Sequence, residues 1–213
     1  MLTYVGKTYL ASVIIDACME RSAGETCYFY CNEKFETKSS GLCVLRGILL
    51  QLIPKDEDLV PYCLSKKKGS HTSNISDLST AQTLIETFCE RVPRLNVVID
   101  GLDECEEARK DLLEVFKYLM KKAEDSSPGK LRILFLSRPL PEIRSAIPNA
   151  SVIALEPENT MEDIRYYCQQ RRARELEKFR SEEWLVNKAV DTICIKSNGT
   201  SKKASDLTNL IRL

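Results

Sequence analysis

Two compact apolar runs constrain this chain more than anything else in it. LNVVID, residues 95–100, and RILFLS, residues 132–137, are both rich in Val, Ile, Leu or Phe, lack a strict apolar–polar alternation, and end in polar groups. Such a run is the pattern of a strand buried on both faces, as in a parallel sheet covered by helices. Between them lie an acidic turn, a helical pattern from about Glu107 to Lys122, and a loop at Asp125–Lys130 containing Pro128-Gly129. Strand, helix, strand in that order predicts an α/β fold with parallel neighbours.

The rest of the chain continues the alternation. Cys27–Cys31 reads as a short strand with Cys27, Phe29 and Cys31 on one face, and SVIAL, residues 151–155, as a further strand. Helical spacing predicts helices over Thr8–Glu20 (stripe Leu10, Val13, Ile14, Ala17), Ser40–Ile53 (Leu42, Leu45, Ile48, Leu49, Leu52) and Asp77–Val92. Pro54 and Pro93 stop the last two, because proline lacks the amide a continuing helix needs. The expected fold is an open, mostly parallel sheet flanked by helices. Beyond Glu156 come two charged helices, Met161–Phe179 and Glu182–Lys196, with Ile164, Tyr167, Cys168, Trp184, Val190 and Ile193 as buried candidates. The expected division is 1–156 for the α/β core, 157–199 for the start of a helical subdomain, and 200–213 for a polar tail. Residues 54–76 read as mixed loop, with Lys66-Lys67-Lys68 as a solvated turn.

Charge and cysteine content exclude several classes of function. Lys plus Arg and Asp plus Glu both total 31, so no global field draws the chain to nucleic acid or to a membrane surface. No apolar run reaches the ~18 to 20 residues of a membrane span. The nine cysteines are odd in number and show no repeated short spacing, and the start of the chain carries no secretory pattern, so a reducing, cytoplasmic compartment is expected. In CYFYC, no second cysteine pair or nearby histidine completes a zinc site. The single histidine, His71, lies in a polar loop.

In open α/β sheets, ligands bind at the carboxyl ends of the strands. The first of the two runs ends there in Asp100-Gly101-Leu102-Asp103-Glu104, three carboxylates within five residues. Shared hard oxygen ligands suit Mg²⁺, the Walker B arrangement. The alternative is an acidic turn that complements the dipole of the next helix. After the second run comes Ser137-Arg138-Pro139, where a guanidinium could pair with a terminal phosphate or simply sit in an exposed loop. Gly6-Lys7-Thr8, just before an apolar helix, matches the back half of the phosphate loop G-x-x-x-x-G-K-[ST], or is three common residues side by side. Coincidence of place favours the functional reading, since all three fall where this fold presents groups to one ligand.

Five blocks then make a resemblance. GKTYLASVIID, YFYCNEKFETKSSGLCVLRGILLQLI, NVVIDGLDEC, ILFLSRPLPEI and LVNKAVDTICIKSNG, in that order over about residues 5–199, resemble the NACHT-type STAND NTPases of fungal NOD-like receptors. The resemblance implies a P-loop NTPase-type fold, binding of ATP or GTP with Mg²⁺, and a signalling switch from closed monomer to self-associated oligomer in innate immunity and heterokaryon incompatibility. It also implies an effector domain before and repeats after, neither present in this sequence. On that pattern Gly6 belongs to the phosphate loop, Lys7 reaches the β and γ phosphates, and Thr8 holds Mg²⁺ through its hydroxyl. Asp100 binds Mg²⁺ through water, Asp103 or Glu104 positions the attacking water, and Arg138 senses the γ phosphate.

The sequence departs from that family in two places. Met1 and Tyr4 stand where the loop has glycines, which opposes the positive-φ turns and close approach that phosphate needs. Met1–Val5 is too short to supply both the loop and the strand that the resemblance places between ILFLS and SVIAL, and Thr200–Leu213 does not resemble the family at all. The expectation is therefore a fragment, cut at both ends, of a NACHT switch with an impaired phosphate loop and weak or lost hydrolysis. The alternative is a non-catalytic remnant or protein-interaction module on the same scaffold. A free-standing P-loop kinase is disfavoured by the charged helical extension.

Overall fold

The computed structural model describes residues 6–21, 24–34, 40–56, 60–61, 75, 77–155, 161–166, 168 and 183–197. The chain divides into two compact units, Thr8–Ala150, and Met1–Lys7 together with Ser151–Leu213. In chain order the named elements are α1 (Lys7–Arg21), β1 (Glu25–Tyr30), α2 (Gly41–Leu52), α3 (Leu78–Arg91), β2 (Leu95–Asp100), α4 (Arg109–Ser126), β3 (Leu131–Leu136), α5 (Pro141–Ala146) and α6 (Glu183–Ser197).

In the Thr8–Ala150 unit, three parallel strands form one sheet in the order β1-β2-β3. The pairing is in register from end to end. Glu25 and Leu131 flank Leu95, and Tyr30 and Leu136 flank Asp100. Every residue of the central strand β2 is buried, which is why its sequence shows no alternation. Period two nevertheless divides its side chains between two cores. Leu95, Val97 and Ile99 pack with Leu45, Ile48, Ile85, Phe88, Leu112 and Phe116 of α2, α3 and α4. Val98, on the other face, packs with Ala11 and Ile15 of α1 and Leu136 of β3. Each large side chain fully buried this way contributes roughly 1.5 to 3 kcal/mol.

The helices begin where local chemistry allows it. The Ser40 hydroxyl accepts from the Cys43 amide at 3.2 Å, and the Asp77 carboxylate accepts from the Thr80 amide at 2.7 Å, capping α2 and α3. The Thr80 amide, and then its hydroxyl, hold the Asp77 carboxyl below its ordinary value. Helix α2 lies unusually close to β1 at Gly47, where an added Cβ would come within 2.5 Å of the Phe29 ring. At the outer edge of β1, the Gln51 side chain acts as a substitute strand. Its Oε1 accepts from the Tyr28 amide at 3.1 Å, and its Nε2 donates to the Tyr28 carbonyl at 2.8 Å.

Four sequence expectations are corrected. SVIAL is not a strand: residues 151–155 are irregular and Ile153 is 86% exposed. β-branched residues favour a strand only where a neighbour takes their hydrogen bonds, and no described strand pairs with this segment. β3 is only partly buried, Leu136 alone being fully so. It pairs with β2 on one side and has no described strand on the other. In α1 the buried row is Ala11 and Ile15, with Leu10 and Ile14 partly buried and Val13 exposed. Trp184 is 59% exposed, because it lies roughly two and a half turns before the buried Ile193 and so on the opposite side of α6.

In the unit of Met1–Lys7 and Ser151–Leu213, Ile164, Cys168, Val190, Ile193 and Cys194 form a small core with Met161 packed against it. Arg165 Nη1 donates to Asp191 Oδ1 at 2.6 Å across the surface of this core. Tyr167, residues 169–179, the lysine run, His71 and the tail from 200 onward lie outside the described residues. Among the described residues, no helix is long and apolar enough to cross a membrane.

Candidate functional site

The site follows from the register of the sheet. β1, β2 and β3 end side by side at Tyr30, Asp100 and Leu136. Asp100 shares the parity of Val98, so its side chain emerges on the face covered by α1, whose first turn holds Thr8. Thr8 Oγ1 donates to Asp100 Oδ2 at 2.7 Å, joining residues 92 positions apart. Asp100 is only 6% exposed, whereas Thr8 is open to solvent.

Immediately after Asp100 the chain reverses at Gly101, whose φ of 76° is left-handed and so favours glycine. Its amide donates to the Leu136 carbonyl at 2.9 Å, and its carbonyl accepts from the Glu104 amide at 2.8 Å, closing the short turn Leu102–Glu104. The Cys31 amide donates to the Asp100 carbonyl at 2.9 Å. All three strand ends are thus tied to the Asp100-Gly101 peptide.

The turn then separates the three carboxylates that the sequence crowds together. Asp100 faces Thr8. Asp103 faces the loop after β3: its Oδ1 accepts from the Arg138 amide at 3.0 Å, and its Oδ2 lies 2.9 Å from Arg138 Nε as a charge pair rather than an aligned hydrogen bond. Glu104 Oε2 accepts from the Glu33 amide at 3.2 Å, in the loop after β1. Like charges are kept apart because each carboxylate has its own donor.

Sequence reasoning missed Arg109. It is buried at the start of α4, donates from Nε to the Leu102 carbonyl at 3.3 Å and from Nη2 to the Asp103 carbonyl at 3.0 Å, and pairs through Nη1 with Glu142 at 2.7 Å. Amid the charged run EEARKD, nothing distinguishes it from its exposed neighbours. Also missed was the thiol pair Cys31 and Cys105. Their mutual hydrogen bond, reinforced on Cys31 by burial, pushes the Cys31 thiol up, and the same bond holds Cys105 down.

Of the remaining sequence candidates, Lys7 is the first residue of α1 and Gly6 precedes it with φ 38°; the unit division falls between Lys7 and Thr8. Residues 1–5, with Met1 and Tyr4, lie outside the described residues. A hydroxyl and a carboxylate oxygen side by side, one solvent-facing, fit Mg²⁺, which takes few protein ligands and keeps water or phosphate for the rest. Among the described residues, no group of three or more His, Cys, Asp or Glu could hold a metal ion by itself.

A parallel sheet flanked by helices, with a helix-start hydroxyl against a strand-end carboxylate, has the open-sheet architecture of a P-loop NTPase-like protein. The chain belongs to the nephrocystin 3, N-terminal family, whose model matches residues 4–138. That family is NACHT-adjacent, and the match covers every candidate residue from Gly6 to Arg138. No curated protein and no solved structure matches the chain.

Proposed function

We propose that this chain is the nucleotide-binding part of a cytoplasmic NACHT-type STAND signalling switch, of the kind found in fungal NOD-like receptors, taking ATP or GTP with Mg²⁺. The observation that carries the reading is the Thr8–Asp100 contact. It brings together a helix-start hydroxyl and a strand-end carboxylate that are 92 positions apart, the pair of oxygens that a P-loop site uses to hold Mg²⁺.

In this reading the cation, when bound, neutralises charge on the β and γ phosphates. Thr8 would ligate it through its hydroxyl and Asp100 would hold it through water. Gly6 and Lys7 would line the phosphates, Arg138 would read the terminal one, and Glu104 or Asp103 would orient water. Met1 and Tyr4 in place of loop glycines weaken binding and leave hydrolysis slow. In longer relatives, effector and repeat domains would couple the nucleotide state to self-association through this module.

The test is titration of a fluorescent triphosphate into the parent and Asp100→Asn, with and without Mg²⁺. The parent is expected to bind only with Mg²⁺, and the variant to lose on the order of tenfold in affinity. Binding that ignores both changes, or no binding by a folded parent, moves the assignment to a non-catalytic interaction module.

A further inference from the structure

Cys31 and Cys105 stand on the two connections that leave β1 and β2 at the carboxyl end of the sheet, and neither enters the nucleotide reading. Both are free thiols of the main core, Cys31 7% exposed and Cys105 closed to solvent. The backbone brings them together. The Cys31 amide donates to the Asp100 carbonyl at 2.9 Å, and Cys31 Cβ lies 3.5 Å from the place that a Gly101 Cβ would take. The turn Leu102–Glu104 then doubles back, the Cys105 amide donating to the Leu102 carbonyl at 3.3 Å, and the Cys105 thiol comes into hydrogen-bonding contact with that of Cys31. Glu104 ties the same two connections together through the Glu33 amide at 3.2 Å. Cys27, earlier on the same face of β1, donates its thiol proton to the Asn96 carbonyl at 3.7 Å instead.

We infer that Cys31 and Cys105 form an oxidation site, which closes to a reversible disulfide when the chain meets a hydroperoxide and so locks the turn Leu102–Glu104 to the end of β1. The inference goes beyond the nucleotide reading and does not depend on it. The peroxide takes two electrons from the pair in two steps. Its O–O bond breaks as one thiol becomes a sulfenic acid, and the first water leaves. The second thiol then attacks that sulfur, the S–O bond breaks, and the hydroxyl departs with the thiol proton as a second water. Cys31, the one of the two with some exposure, is the thiol that meets the peroxide first. A second thiol already in contact captures the sulfenic acid before it is oxidised further, which an isolated buried cysteine does not do. Disulfide geometry demands adjacent Cβ atoms, and the missing Gly101 side chain leaves room for the Cys31 Cβ beside the turn. The closed bond spans a long stretch of chain, so it also removes much of the freedom of the unfolded state.

The test treats the full chain with hydrogen peroxide, blocks the remaining thiols with N-ethylmaleimide in denaturant, and maps the unreduced peptides by mass spectrometry. The expected product is a linked pair holding Cys31 and Cys105, lighter by two hydrogens than the separate peptides and parted again by dithiothreitol. The urea midpoint of the oxidised chain is expected to rise above that of the reduced chain, and to show no such rise in Cys31→Ala. The mapping is made on the parent, so it decides the matter even where the variant does not fold. Sulfinic or sulfonic acid on either cysteine would overturn the inference. So would a link from Cys31 to another cysteine, or both thiols still open to the maleimide once Cys18 and Cys43 are oxidised. A linked chain whose midpoint does not rise, or a rise that persists in Cys31→Ala, would overturn the lock. None of these outcomes bears on the nucleotide reading, which stands or falls by the titration above.

Discussion

Thr8 and Asp100 meet at 2.7 Å although they belong to the first turn of a helix and the last residue of a strand. The contact depends on strand parity. Asp100 lies on the α1 face because it is two residues from Val98, which packs on Ala11 and Ile15. A one-residue slip of β2 against its neighbours would turn the carboxylate into the opposite core.

The contact predicts a split between two substitutions at Thr8. Thr8→Val keeps the shape and removes the oxygen, while Thr8→Ser keeps the oxygen. Val is expected to abolish the dependence of nucleotide binding on Mg²⁺ and, by taking the hydroxyl from the buried Asp100 carboxylate, to lower stability by roughly 1 to 3 kcal/mol, and Ser to retain both. Titration of Mg²⁺ at fixed nucleotide checks this. A Val variant with the parent's Mg²⁺ response would mean that the hydroxyl serves only Asp100.

Arg109 gives a prediction about the loop rather than the ligand. Arg109→Met keeps much of the buried length of the side chain but takes the donor from the Asp103 carbonyl, while the Leu102 carbonyl keeps the Cys105 amide at 3.3 Å. An acceptor left unsatisfied costs roughly 1 to 3 kcal/mol, so a loss of about that size in urea unfolding is expected. Arg109→Lys, with one donor group in place of the fork, should fall between. A Met variant as stable as the parent would show that the turn Leu102–Glu104 holds itself.

The fold was legible where a residue's own pattern decides its environment. LNVVID announces burial on both faces, and Ser40 and Asp77 announce helix starts. SVIAL carries the same signal and is no strand, because strand formation also needs a partner that composition does not specify. The row buried on α1 depends on which side meets the sheet, so Val13 could not be told from Ile15 beforehand. At the site, Thr8, Asp100, Asp103 and Arg138 were named from motif and strand-end position, and the sheet brings them to one end. The division of labour among the carboxylates was not legible. It depends on Gly101 and Arg109, whose effect appears only after the turn is folded.

Buried thiols predict an alkaline limit. Burial is the chief cause that pushes both Cys27 and Cys89 from the ordinary 9.0 up to about 12. Both therefore stay protonated in the folded chain at a pH where the unfolded chain ionises them. The folded state binds more protons above pH 9, so stability is complete below about 9 and falls as pH rises from there toward about 12. Urea midpoints measured from pH 8 upward should fall through this window, and less steeply in Cys27→Ala/Cys89→Ala. Equal slopes in the two proteins would place the alkaline loss elsewhere.

Gln51 predicts how the outer edge of β1 is kept from pairing with other chains. An edge strand offers unpaired amides and carbonyls to any extended segment, and proteins usually block it with charge, proline or a covering element. Here one side-chain amide takes both groups of Tyr28 and also donates to the Gly47 carbonyl at 2.8 Å, so the block is anchored in α2. Gln51→Leu removes the donor and the acceptor together. Its expected result is a loss of about 1 kcal/mol in stability and new concentration-dependent self-association. Gln51→Glu keeps an acceptor for the Tyr28 amide but loses the donor, and should sit between Leu and the parent on both measures. Urea unfolding and light scattering across a concentration series read the two effects separately. A Leu variant that is destabilised yet stays monomeric would mean that Gln51 contributes hydrogen bonds but that the edge is protected by something else, whereas one that associates without losing stability would assign it the protective role alone.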